Sequence, residues 1–212
     1  QISDNAVRIG VLTDLSGVYS DVSGKGTVVA TQMAIDDFVA KERPSFKVEM
    51  VSADHQNKGD IAANKAREWF EREKVDVASE LVTTSVALAV QKIAKEKNRI
   101  ALISGAASTR VTNEDCKDVT VHWTYDTYAV ANGTAKAVTK TGGKKWFFLT
   151  ADYAFGHSLA KDAMEVVKAN GGEVVGSVRH PFPGSDFSSF LLKAQSSGAQ
   201  IIGLANAGGD TI

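Results

Sequence analysis

The sequence is short of the residues that build a disulfide scaffold, a metal centre or a membrane span. It has one cysteine in 212 residues, Cys116. A lone thiol forms no intrachain disulfide, and without a CxxC pair there is no metal or redox motif of that kind. Charge of one sign is missing too: 24 basic residues against 25 acidic ones leave a net charge of −1. That gives no electrostatic basis for a nucleic-acid partner or an anionic membrane surface. No apolar run approaches the ~20 residues of a membrane helix. The four histidines, His55, His122, His157 and His180, are scattered, with no HExxH and no closely spaced pair. Neither a metal site nor a catalytic dyad is expected from them.

The familiar catalytic and cofactor signatures are absent as well. There is no G-x-S-x-G elbow and no GxxxxGK[ST] phosphate loop. No lysine follows Tyr125, Tyr128 or Tyr153 at the fourth position, so the Tyr-x-x-x-Lys pair of short-chain dehydrogenases is missing. Gly24-Lys25-Gly26-Thr27-Val28-Val29 opens like a dinucleotide fingerprint, but Val29 stands where the third glycine belongs. No catalytic residue, metal ligand or cofactor is expected. The polar start, Gln1-Ile2-Ser3-Asp4-Asn5, fits a mature end left by cleavage or a cytosolic start.

What is present is an alternation of strands and helices. Short apolar runs at 7–12, 47–52, 75–78, 100–103, 119–123, 146–149, 173–180 and 201–204 read as strands. Pro181 and Pro183 break the seventh. Helical spacing connects them. Val28, Val29, Met33, Phe38 and Val39 predict an inward face over 24–40. Ile61, Ala62, Ala66, Trp69 and Phe70 follow Asp60 as an N-cap. Val86, Val90, Ile93 and Ala94 follow Ser85 as another. Further helices are expected over 128–140, over 156–169 with Leu159, Ala163, Val166 and Val167 inward, and around Phe187–Ala194. Such alternation predicts βαβ units and parallel sheets. The pattern pauses at the polar stretch 113–118 and restarts, which predicts two α/β lobes, 1–121 and 122–212. Gly208-Gly209-Asp210-Thr211 reads as the start of another helix, so both lobes are expected to be incomplete parts of a longer protein.

Gly/Ser/Thr clusters fall where strands end. Asp14-Leu15-Ser16-Gly17, Val82-Thr83-Thr84-Ser85, Ser104-Gly105-Ala106-Ala107-Ser108-Thr109 and Asn206-Ala207-Gly208-Gly209 each follow an apolar run. In an open parallel sheet these ends share one edge, where ligands bind. Small hydroxylated residues there offer donors without filling the space, and a helix N-terminus accepts an anion without Lys or Arg. Plain capping by Ser85 is the alternative at Thr83-Thr84-Ser85; Ser104–Thr109 at the next strand end favours the anion site. Tyr153 and Phe155, on the loop after the sixth strand, either cover the apolar part of a ligand or fill a hinge.

The ordered motifs 9–17, 82–85, 104–108 and 150–156 resemble the type I periplasmic solute-binding proteins of ABC importers. The branch they are most similar to is that of the leucine/isoleucine/valine-binding proteins. The resemblance implies two doubly wound, Rossmann-like lobes joined by a hinge and closing over a small carboxylate: a branched-chain or other amino acid, or an aromatic or organic acid. It implies Thr83, Thr84, the backbone of Ala106 and the hydroxyl of Ser108 on the carboxylate, with Ser16 also a ligand-binding candidate. It implies the second lobe's aromatic loop at Tyr153 and Phe155, with Asn206 and Ala207 at the next strand end facing the cleft; Tyr125, flanking the crossing, is a further ligand-binding candidate. It further implies an ABC-type permease as partner, no membrane span in the protein itself, a monomer, and a periplasmic or extracellular, membrane-tethered location. The chain departs from the branched-chain binders in lacking their first-lobe cysteine pair and an aromatic near Val22. A cytosolic ligand-sensing regulator of the same fold is the competing expectation, and it predicts a dimer. An α/β oxidoreductase or hydrolase is the third, and it lacks a cofactor loop or catalytic set.

Overall fold

The computed structural model describes residues 3–212. The chain divides into two compact units, one running to Ala106 and including Val111–Thr124, the other Ala107–Arg110 with Tyr125–Ile212. Each is an α/β layer structure, as the alternation of short β-branched runs and helical periodicity requires.

In the first unit β1 (Ala6–Thr13), β2 (Lys47–Asp54), β3 (Val77–Glu80), β4 (Ile100–Ile103) and β5 (Thr120–His122) pair in parallel in the order β2-β1-β3-β4-β5. The order reverses between β1 and β3, so the crevice beyond their carboxyl ends is where this topology places a ligand. Helices α2 (Gly59–Glu71) and α3 (Thr84–Glu96) pack on each other and build the core. Ala62, Ala66, Trp69 and Phe70 meet Val86, Val90, Ile93 and Ala94 over Leu12, Ala78, Ala101 and Ile103. Gly10 is where Trp69 lies flat on the sheet: a Cβ there would come 2.5 Å from the indole.

Three local expectations are corrected. α1 (Gly24–Glu42) buries only Gly24 and Ile35, while Val29 and Met33 are 58% and 60% exposed. Its apolar residues spread around the helix and do not line one side. Neither Asp60 nor Ser85 caps a helix: α2 starts after Lys58 with no side-chain cap, and α3 starts after Thr83. Asp60 and Ser85 sit one residue inside their helices, where Asp60 still complements the dipole. The third strand lies two residues later than read, because Val75 is buried in the core while the pairing with β1 runs from Val77 to Glu80.

In the second unit β6 (Lys145–Ala151), β7 (Glu173–His180) and β8 (Ile201–Ala205) form a parallel sheet in the order β7-β6-β8. The helix expected over 128–140 is three pieces: α4 (Thr127–Val130), a π-helical turn (Ala131–Ala135) and α5 (Lys136–Lys140). Asn132 Nδ2 donates to the Tyr128 carbonyl at 3.1 Å. That local bond competes with the regular ladder, and Gly133 next to it offers no stiffness. α6 (Ala154–Ala169) buries Leu159, Ala163 and Val167 with Val166 partly buried, as read, and α7 (Ser188–Ser196) follows β7. Trp146 and Phe148 stack at 5.8 Å in this core.

Candidate functional site

The carboxyl end of β1 is held by Asp14. This buried side chain accepts from the backbone N–H of Gly17 (2.7 Å), Tyr19 (2.9 Å) and Ser16 (3.4 Å). Asn57, just after β2, donates its amide to the same carboxyl. It also accepts the Thr83 hydroxyl at 2.6 Å. One asparagine thus links the turns after β1 and β3. Ser16 is exposed, and its hydroxyl donates to Asp54 at 2.6 Å.

The turn from β3 to α3 is strained. Glu80, Leu81 and Thr83 adopt φ of 76, 58 and 78°, all left-handed and none of them glycine. Each such residue costs about 1–3 kcal/mol and persists only where its surroundings hold it. Here the Glu80 carbonyl accepts from Ser104 and Gly105 N–H at 3.2 and 3.0 Å, and Leu81 N–H donates to Leu12. The turn delivers α3 with an open start. Thr83 is its N-cap, yet its hydroxyl, which donates to Asn57, accepts no capping bond from the first-turn N–H groups. The first-turn N–H groups of a helix have no intrahelical acceptor, and the dipole concentrates positive charge there. Thr84, 1% exposed, has a hydroxyl without a hydrogen-bond partner, and so does His55 Nε2. Ala106, at the end of β4, is buried with its carbonyl against His122 Nε2 at 2.7 Å.

Two buried ionisable groups at this edge oppose each other. Burial pushes the Glu80 carboxyl up to about 7, with Asp14 adding to the rise and bonds from Val82 N–H, Thr13 and Ser23 resisting it. Burial pushes His55 down to about 4 against the attraction of Asp14 and Asp54. A raised carboxyl contributes stability below its unfolded value that is lost as pH climbs to about 7. A lowered histidine does the reverse, losing stability as pH falls from about 6.5 to about 4. The two slopes cancel across most of this range. Urea unfolding should therefore give the wild type a nearly flat stability there and give Glu80→Gln a clear loss on acidification. Parallel profiles for the two would reject the assignment.

In the second unit the segment Ala107–Arg110 carries Ser108, fully buried, with its hydroxyl 2.6 Å from that of Ser158 on α6. Thr127 donates to Asp162 at 2.5 Å beside it. Tyr153 and Phe155 follow β6. Tyr153 stacks on Phe182 with centroids 4.0 Å apart and a 13° tilt, and Phe155 stands 6.0 Å away. Asn206, after β8, is buried, donating to the Asp210 carbonyl at 3.2 Å and accepting from Thr211 at 2.9 Å. Ala207 follows it at the same strand end, and Tyr125 is 65% exposed. Sequence reasoning missed Asn57, Glu80, Ser158 and Phe182. Phe182 had a signal, since it lies between two prolines at a strand end; Asn57 had none.

The described residues hold no cluster of three His, Cys, Asp or Glu side chains suited to a metal ion, and no helix long and apolar enough to cross a membrane. Two parallel-sheet α/β units with donor-rich strand ends have the architecture of the type I periplasmic-binding fold. Residues 6–212 match the family described as periplasmic binding protein, and the chain belongs to that family. It is similar to a solved periplasmic binding protein from Burkholderia mallei, at 55% identity and a TM-score of 0.94 over 98% of this chain and 55% of that one. It is also similar to a branched-chain amino acid ABC transporter periplasmic ligand-binding protein from Burkholderia xenovorans LB400. There the identity is 39% and the TM-score 0.77, over 97% of this chain and 55% of that one. An ABC transporter solute-binding protein from R. palustris, solved with 4-hydroxybenzoate, is 26% identical with a TM-score of 0.84, over 97% and 55%. Among curated relatives, the Leu/Ile/Val-binding protein homolog 6 of Brucella abortus (strain 2308) is 25% identical over 92% of this chain. The chain spans about half the length of that relative.

Proposed function

We propose that these residues belong to a periplasmic solute-binding protein that captures a small carboxylate, an amino acid or an aromatic acid, and delivers it to an ABC-type permease without chemical change. The observation that carries the reading is the open start of α3 at the point where the sheet order reverses. Thr83 turns its hydroxyl away to Asn57, so this helix end lacks an acceptor that a carboxylate supplies. The ligands of similar proteins, 4-hydroxybenzoate and branched-chain amino acids, share that group. In the first unit, Ser16 and the backbone of Thr84 and Ala106 are the proposed ligand contacts; in the second, Ser108 is. Tyr153, Phe155, Asn206, Ala207 and Tyr125 are the second unit's further proposed ligand contacts. Capture by closure requires a ligand that binds the closed state better than the open one.

Ser85→Asp tests this. It places a carboxylate in the first turn of α3, where it complements the dipole in cis and repels an incoming anion. Calorimetry on the complete protein should show benzoate, 4-hydroxybenzoate or leucine bound at least about tenfold more weakly. Thermal stability should stay level or rise. Unchanged affinity for a ligand that the wild type binds would reject the site.

A further inference from the structure

We propose that Glu80 is the positioning residue of this site: its buried carboxyl pins the β3–α3 turn and the end of β4 against the end of β1. The inference rests on the carboxylate-binding reading above. Glu80 closes β3 and is 3% exposed. Its Oε2 accepts from Val82 N–H at 2.8 Å, which fixes the strained turn from inside. Its carboxyl is also bonded by the hydroxyls of Thr13, at the end of β1, and Ser23, the N-cap of α1. Those two hydroxyls lie 3.0 Å apart. Its other oxygen covers Gly105: a Cβ at that glycine would overlap Oε1 and stand 2.9 Å from the Val82 backbone. Four segments of one sheet edge therefore meet on a single side chain. Two of them, 82–85 and 104–106, carry the proposed donors.

The charged group acting on Glu80 is Asp14, from the end of β1. The neighbours from α1, the β3–α3 turn and β4 are Ser23, Val82 and Gly105, none of them titratable. Burial holds the carboxyl's proton to about pH 7. A ligand anion docking at the same edge disfavours a second negative charge beside Asp14, so losing that proton opposes binding.

The test compares wild type, Glu80→Ala and Glu80→Gln in the complete protein, by amide hydrogen exchange without ligand and by titration with benzoate, 4-hydroxybenzoate and leucine. Glutamine keeps the shape and an oxygen acceptor for Val82 N–H, offers the two hydroxyls a donor in place of the second oxygen, and cannot ionise. Glu80→Ala should speed exchange at Val82–Ser85 and Gly105–Ala106 by at least about tenfold, with α2 still protected. It should weaken binding by a similar factor, and Glu80→Gln should restore both. Between about pH 6 and pH 8 the wild type should lose affinity and Glu80→Gln should not. Unchanged exchange in Glu80→Ala, or no restoration by glutamine, overturns the proposal. If the alanine variant fails to fold, the pH comparison decides, and the same loss in wild type and Glu80→Gln overturns it. Exchange that responds while no probe binds wild type, or while Glu80→Ala binds as wild type does, overturns the carboxylate reading and leaves the role of Glu80 in the turn supported.

Discussion

Trp69→Ala should destabilise the first unit by about 3–5 kcal/mol, the range for removing a buried large aromatic. The upper end is expected because the indole lies on Gly10, which has no side chain to fill the space. Trp69 is also the largest fully buried side chain of this core and joins α2 to the sheet. Gly10→Ala should be costly for the opposite reason, since the new methyl would meet the ring at 2.5 Å. Combined, the two should lose less than the sum of the single changes, because the alanine methyl enters the space the ring vacates. Urea unfolding of the four proteins measures this. Strict additivity would show that Trp69 and Gly10 are not in contact.

Gly156→Ala is expected to cost the second unit about 1–3 kcal/mol or more, as overpacking against a rigid neighbour does. A Cβ at Gly156 would overlap the Ala151 carbonyl oxygen and stand 3.0 Å from that of Ala205. Both are backbone atoms at the ends of neighbouring strands β6 and β8, and they cannot rotate aside as a side chain does. The first turn of α6 would have to lift, taking Tyr153 and Phe155 with it. Thermal unfolding should fall, and the near-ultraviolet signal of the stacked Tyr153–Phe182 pair should change. A variant as stable as the wild type, with the same spectrum, would mean that α6 does not start as closely on the sheet as described.

The two α/β units were legible in the chain because the strands are short apolar runs, even where β4 and β8 leave alternate residues exposed, and the helices between them keep a 3.6-residue period. β7 has the limits its run implied, and the faces of α2, α3 and α6 are the ones read. The family was legible in the residues at the strand ends, and 6–212 matches it. α1 was misread because helical spacing does not say which side has a partner. The caps were misread because Ser85 and Asp60 suit an N-cap and a first turn nearly equally.

At the site, residue type announced donors but not their employment. Thr83 looks like a free hydroxyl in the sequence; its proton belongs to Asn57, 26 residues away. Ser108 looks like its neighbour in the same loop; it pairs with Ser158, 50 residues on. Glu80 reads as an ordinary acidic residue at a strand end, and only the convergence of Thr13, Ser23, Val82 and Gly105 makes it a buried pin. The sequence by itself determined the alternation, the sheet-edge location of the polar clusters and the family, since these depend on composition and on short-range period. Tertiary structure alone decided which polar groups satisfy one another, because hydrogen bonds between segments far apart in the chain leave no local pattern, and burial makes each such bond obligatory.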